Sequence, residues 1–147
     1  MAITTALCTS FKTELLGGIH DLDSHTIKLA LIKPSPSGTY DKTTTNYSNV
    51  TGNSDETTGT NYSAGGQTLD NISISSDASS GRAFVDIDDE VFSNVTCSAA
   101  GCIIYNSSAS NKAICVISFG GTVSATAGDL TIEFPAANAS NAVIRIA

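Results

Sequence analysis

The chain is a succession of short apolar–polar alternations, each closed within a few residues by a cluster of Gly, Pro, Asn, Asp or Ser. A period of two places alternate side chains on one face of a pleated strand, and the turn clusters stop each strand early. Residues 26–32 put Ile27, Leu29 and Leu31 on one face, and Pro34 and Pro36 end the run. Gly65-Gly66 provides a flexible entry to a strand over residues 67–74. Residues 75–81 form a turn cluster, followed by a strong strand over 82–91. Residues 99–105 and 113–119 are apolar on both faces, which predicts central strands joined by a turn at Asn106–Asn111. Residues 130–134 alternate up to Pro135, and 142–146 make a last short strand. Seven or so short strands predict a mainly β, antiparallel β-sandwich or barrel-like single domain spanning residues 1–147.

Two segments break that rhythm. Residues 4–18 predict the only helix, with Thr4 or Thr5 as cap. Leu7, Phe11 and Leu15 recur at helical spacing, Cys8 and Leu16 widen the stripe, and Gly17-Gly18 supplies the stop. Residues 37–66 are dominated by Thr, Asn, Ser, Gly and Asp, with Tyr40, Tyr47, Val50 and Tyr62 as the sizeable apolar groups. A polar stretch of that length in a small domain is either a contact arm or an ordinary surface loop.

The formal net charge is −7 with seven Lys and Arg, scattered along the chain. A phosphate-binding surface needs clustered positive charge, so nucleic acid is not an expected partner, and anionic membranes are disfavoured. Met1 to Thr5 lack the basic and apolar regions of a signal peptide, and no run reaches the roughly 20 apolar residues of a spanning helix. Folding in a cytoplasm is therefore expected, where Cys8, Cys97, Cys102 and Cys115 stay reduced. A hairpin turn over residues 105–113 would set Cys102 and Cys115 nearly opposite, able to cross-link in an oxidising medium.

No pattern specifies a catalyst or a cofactor. Asp86, Asp88, Asp89 and Glu90 lack the glycine-turned spacing of a calcium loop and read as a solvated strand end. His20-Asp21-Leu22-Asp23-Ser24-His25 gathers both histidines, but in a connector without zinc-site spacing, and reads as a helix-to-strand link. No Gly-x-Ser-x-Gly elbow or phosphate loop is present.

Several stretches, in order, resemble a family of small structural proteins of tailed bacteriophages. They are Leu7-Cys8-Thr9-Ser10-Phe11-Lys12, Glu14-Leu15-Leu16-Gly17-Gly18, Ile27-Lys28-Leu29-Ala30-Leu31, Asn61-Tyr62-Ser63-Ala64-Gly65-Gly66, Ile103-Ile104-Tyr105-Asn106, Ile117-Ser118-Phe119-Gly120-Gly121 and Gly128-Asp129-Leu130-Thr131-Ile132-Glu133-Phe134-Pro135. Asp55-Glu56-Thr57-Thr58 lengthens the segment ahead of the Gly-Gly motif. The resemblance implies a non-enzymatic virion protein made in the host cytoplasm. In the first instance this is a capsid decoration (cement) protein, whose partners are the major capsid protein and copies of itself. A tail or neck tube or fibre component is the alternative. A carbohydrate-binding module is the alternative of another class, disfavoured by the lack of Trp. The residues expected at an interface are Tyr40, Tyr47 and Tyr62 on the arm and Phe11 and Leu15 on the helix, since aromatic groups concentrate interface energy.

Overall fold

A computed structural model describes residues 3–147. Strands β1 (Ala6–Leu7), β2 (Ile27–Ile32), β3 (Gln67–Thr68), β6 (Glu90–Asn106) and β7 (Lys112–Ile132) form an antiparallel sheet in the order β1-β7-β6-β2-β3. Strands β4 (Ser73–Asp77), β5 (Arg82–Asp86) and β8 (Ile144–Ile146) form a second sheet in the order β4-β5-β8. The arrangement is a two-sheet sandwich and not a closed barrel. Phe11, Leu22, Leu29, Val85, Ile103, Ile114 and Ile144 belong to one buried cluster, so residues of both sheets share a core.

The β6–β7 hairpin is the spine. Its register sets Tyr105 opposite Ala113 and Asn106 opposite Lys112. A 3-10 turn at Ser107–Ala109 and left-handed Ser110 and Asn111 complete the reversal. Every residue from Gly101 to Asn106 and from Ala113 to Val116 is buried, as two-faced apolar runs require of central strands. Cys102 pairs with Ile117 and Cys115 with Ile104, so the two thiols are diagonal neighbours on one face. All four cysteines are free and buried.

The N-terminal helix is shorter than the sequence predicts. Helix α1 covers Thr9–Leu16, with extended Cys8 as its N-cap. The expected cap is otherwise engaged: Thr5 Oγ1 accepts from Ser118 N at 2.9 Å, and Thr4 N donates to the Tyr40 carbonyl at 2.8 Å. Ala6 and Leu7 pair with Val116 and Cys115, so the edge of β7 claims residues that helical spacing assigns to α1. The predicted stop holds at Gly18 (φ 74°), where Gly18 N donates to the Leu15 carbonyl at 3.2 Å and Ile19 N to that of Glu14 at 3.0 Å.

Two predicted strands are each divided. Residues 67–74 break after Thr68, with Asn71 at φ 52°, and 82–91 break after Asp86. In both cases the chain is crossing from one sheet to the other. The polar segment 37–66 also contains a second, short helix, α2 (Ser48–Gly52), with Val50 buried.

Candidate interaction surfaces

Segment 37–66 is fastened to the domain along its length. Ile32 bridges Glu56, Asn46 bridges Lys112, and Thr60 bridges Thr96. Lys33 N donates to the Asp55 carbonyl at 2.8 Å and Thr57 N to that of Leu31 at 2.9 Å, so residues 55–57 continue the edge that β3 begins on β2. The segment is a packed layer of the domain.

Two adjacent carboxylates organise it. Asp55, whose side chain is fully buried, accepts from Tyr40 Oη at 2.6 Å, Gly38 N at 2.8 Å and Ser37 N at 2.9 Å, and pairs with Lys33 Nζ at 3.1 Å. Burial works against its charge, but these donors outweigh burial and hold the carboxyl well below the usual carboxylate range. Glu56 Oε1 accepts from Tyr62 Oη at 2.8 Å and Gly65 N at 2.7 Å, and its Oε2 from Tyr47 Oη at 2.5 Å. Tyr47 stacks on Tyr105 with ring centroids 4.5 Å apart, and Tyr105 Oη donates to the Gly65 carbonyl at 2.7 Å. Gly65 and Gly66 both have positive φ, and a Cβ on Gly66 would overlap the Leu29 carbonyl. The Gly-Gly motif thus lets the chain pass against the backbone of β2. Burial, and then the Asp55 bond, push the Tyr40 phenol up to about 12. Burial also raises Tyr47 and Tyr62, with Glu56 adding to both, so all three hydroxyls remain donors.

This corrects the expected interface. Tyr40 is 1% exposed and Phe11 is fully buried, so neither offers a surface to a partner. Tyr47 and Tyr62 are half-buried with their hydroxyls turned inward to Glu56. Leu15 is half-buried and lines a small pocket with Leu22, Phe84 and Ile144. Among the described residues, the most exposed large apolar side chain is its neighbour Leu16, at 91%.

The histidine connector is a second internal network. Buried Asn106 accepts at Oδ1 from Ser108 N (3.0 Å) and Ala109 N (3.2 Å). Its Nδ2 therefore donates, to Nδ1 of His20 at 3.1 Å and of His25 at 2.9 Å. That fixes the His20 proton on Nε2, which faces Glu14 Oε1 at 3.4 Å, while Lys112 Nζ meets Glu14 Oε2 at 2.8 Å. The Asp21 carboxylate accepts from Asp23 N, Ser24 N and Ser24 Oγ. Both histidines and Asp21 are engaged in the turn itself, as the connector reading expects. Among the described residues, no three His, Cys, Asp or Glu side chains are placed to hold a metal ion.

The acidic strand end is solvated at Asp86, Asp88 and Asp89, as the sequence predicts, and buried at Glu90. Asn71 Nδ2 donates to Asp88 Oδ2 at 2.6 Å, and Phe134 N to Asp89 Oδ1 at 2.8 Å. Glu90 is buried, and burial, then Asp70, raise its pKa. The Gln67 amide is satisfied when its nitrogen faces the Glu90 carboxylate and the Val91 carbonyl.

Besides Ile74 and Ile146, which are 54% and 52% exposed at the rim of the Leu15 pocket, two apolar surfaces are open among the described residues. One is a groove of about 480 Å³ beside β7, lined by Leu7, Val116, Phe119, Val123, Leu130 and Phe134, with Glu133 as its only charged lining residue. It lies where β7 outruns β1, whose two residues cover only Cys115 and Val116. The other is the Leu16 end of α1, with Ile19 beside it at 42% exposure. Neither was singled out by sequence reasoning, because Leu16 reads as part of a buried stripe and the groove depends on where β1 stops. No described helix is long and apolar enough to cross a membrane. No protein family, curated protein or solved structure matches this chain.

Proposed function

We propose that this protein is a non-enzymatic structural component of a tailed-phage virion, in the first instance a capsid decoration protein. Made in the host cytoplasm, it would sit on the head, bridge subunits of the major capsid protein and meet copies of itself. The observation that carries the reading is the ordered set of segments from Leu7 to Pro135, which resembles small phage structural proteins over nearly the whole chain. A sandwich whose carboxylates and tyrosines are largely spent on its own loops, and which leaves apolar patches open, fits a part that acts by occupying a seam. Repetition over a symmetric shell would supply avidity without a large interface per copy. Contact with neighbouring copies would use the β7 groove and the Leu16 end, since Tyr40 is buried and the hydroxyls of Tyr47 and Tyr62 turn inward.

Purified particles test this. The protein should be present in many copies over the head in an image reconstruction, and particles lacking it should release their genome at lower temperature. Copies confined to the neck or tail would select the tube or fibre alternative. Absence from intact particles would end the proposal.

A further inference from the structure

We propose that copies of this chain assemble head-to-tail, the Leu16 end of α1 in one copy entering the apolar groove beside β7 in the next. The inference deepens the structural reading above, for which it supplies the self-contact.

The knob is rigid. Leu16 is the last residue of α1, and three backbone bonds from Gly17, Gly18 and Ile19 back to Thr13, Leu15 and Glu14 fix the turn beyond it. An isolated exposed leucine needs no explanation. This one is 91% exposed on a locked helix end, with Ile19 beside it, on a chain that also carries an open apolar groove.

Charge selects the occupant. The net charge of −7 makes two copies repel, so a contact between them must be neutral or locally complementary. Lys12 lies one turn before Leu16, and both are on the exposed side of α1. Glu133 is the only charged residue lining the groove, and it too is exposed. Neither Lys12 nor Glu133 forms an ion pair among the described residues. Seating Leu16 among Phe119, Val123 and Leu130 would bring an unpaired cation to an unpaired carboxylate. Knob and groove share no residue, so the contact is heterologous, and repeating it generates a ring or a chain of copies.

Sedimentation of the purified full-length chain up to about 0.2 mM tests this, since a contact of this size is expected to be weak. Assembly beyond the monomer is expected, and Leu16→Gln or Val123→Gln should each weaken it by at least about tenfold. Both positions are solvent-accessible, so the fold should hold, with circular dichroism as the check. An equimolar mixture of the two variants should form a dimer and stop there, because only one knob and one groove remain intact. Lys12→Glu and Glu133→Lys should each weaken assembly, and the double variant should restore it. A wild-type monomer throughout the range, a Leu16→Gln protein that assembles like wild type, or a double charge swap no better than either single would each overturn the proposal. Such a failure would leave the virion reading standing, since particle composition tests that separately.

Discussion

Replacing Asp55 by Ala should be among the most damaging single changes outside the apolar core. The carboxylate is fully buried and serves Tyr40 Oη, Gly38 N and Ser37 N at 2.6–2.9 Å. Ser37 Oγ also donates to it at 3.0 Å, so its removal leaves four donors, besides Lys33, facing a methyl group. A buried polar group without a partner costs about 1–3 kcal/mol. Tyr40 can fall back on the Asn49 carbonyl at 3.3 Å, and exposed Ser37 can admit water, so neither incurs the full penalty. Lys33 is 38% exposed and its ion pair adds little. The sum is about 3–4 kcal/mol, in the range measured when one partner of a buried network is deleted. Asp55→Asn keeps the shape and one acceptor and should cost about half as much. Urea unfolding followed by circular dichroism measures both. At a slope of about 2 kcal/mol per molar, Asp55→Ala should lower the midpoint by roughly 1.5–2 M. Because the folded pKa is depressed, this stabilisation is present above the ordinary carboxylate range and is lost as pH falls through the folded value. A loss below about 1 kcal/mol for Asp55→Ala, or an Asn variant worse than the Ala variant, would show that Asp55 does not organise segment 37–66.

Three further outcomes follow from the same networks. Gly66→Ala should destabilise by more than about 3 kcal/mol, read as a fall in thermal midpoint, because the added Cβ meets the Leu29 carbonyl at a positive φ. Glu90→Gln should leave stability unchanged or raise it by up to about 1 kcal/mol at neutral pH, since burial raises this carboxyl and Gln67 keeps an acceptor. The gain should shrink as pH falls through the raised folded value and be gone below the ordinary carboxylate value of 4.5, where both states are protonated. Burial lowers the His20 pKa despite Glu14, so its contribution is complete above the ordinary imidazole value of 6.5 and is lost as pH falls through the folded one. Unfolding curves between these limits should flatten in His20→Gln relative to wild type.

The strands were legible because strand burial is written in local alternation. β2 follows from it, and the Tyr105–Ala113 turn follows from two-faced apolar runs around a polar cluster, whereas residues 113–119 and 130–134, which read as separate strands, are one strand, β7. The divisions of 67–74 and 82–91 were not legible, since a crossing between sheets leaves the alternation intact while the chain changes partners. Helix α1 shows the same limit at its start. Helical spacing over residues 4–8 is real, yet Thr5, Ala6 and Leu7 are taken by β7, an element more than 100 residues away in sequence. Local pattern reports what a segment can form, and the unpaired edge of a distant strand decides what it does form.

The inward turn of the three tyrosines has a more specific physical reason. Tyrosines in a long polar segment look like protruding anchors only while their hydroxyls have no internal partner. Asp55-Glu56, which from sequence merely lengthens that segment, supplies both partners: one carboxylate takes Tyr40, and the next takes Tyr47 and Tyr62. Adjacent residues on an extended chain point to opposite sides, so two consecutive carboxylates can each gather donors from a different side of the backbone. The same polar composition that suggests an arm therefore builds a clasp. The surface left for partners shifts to residues with no polar alternative, Leu16 on its helix end and the groove that β1 is too short to cover.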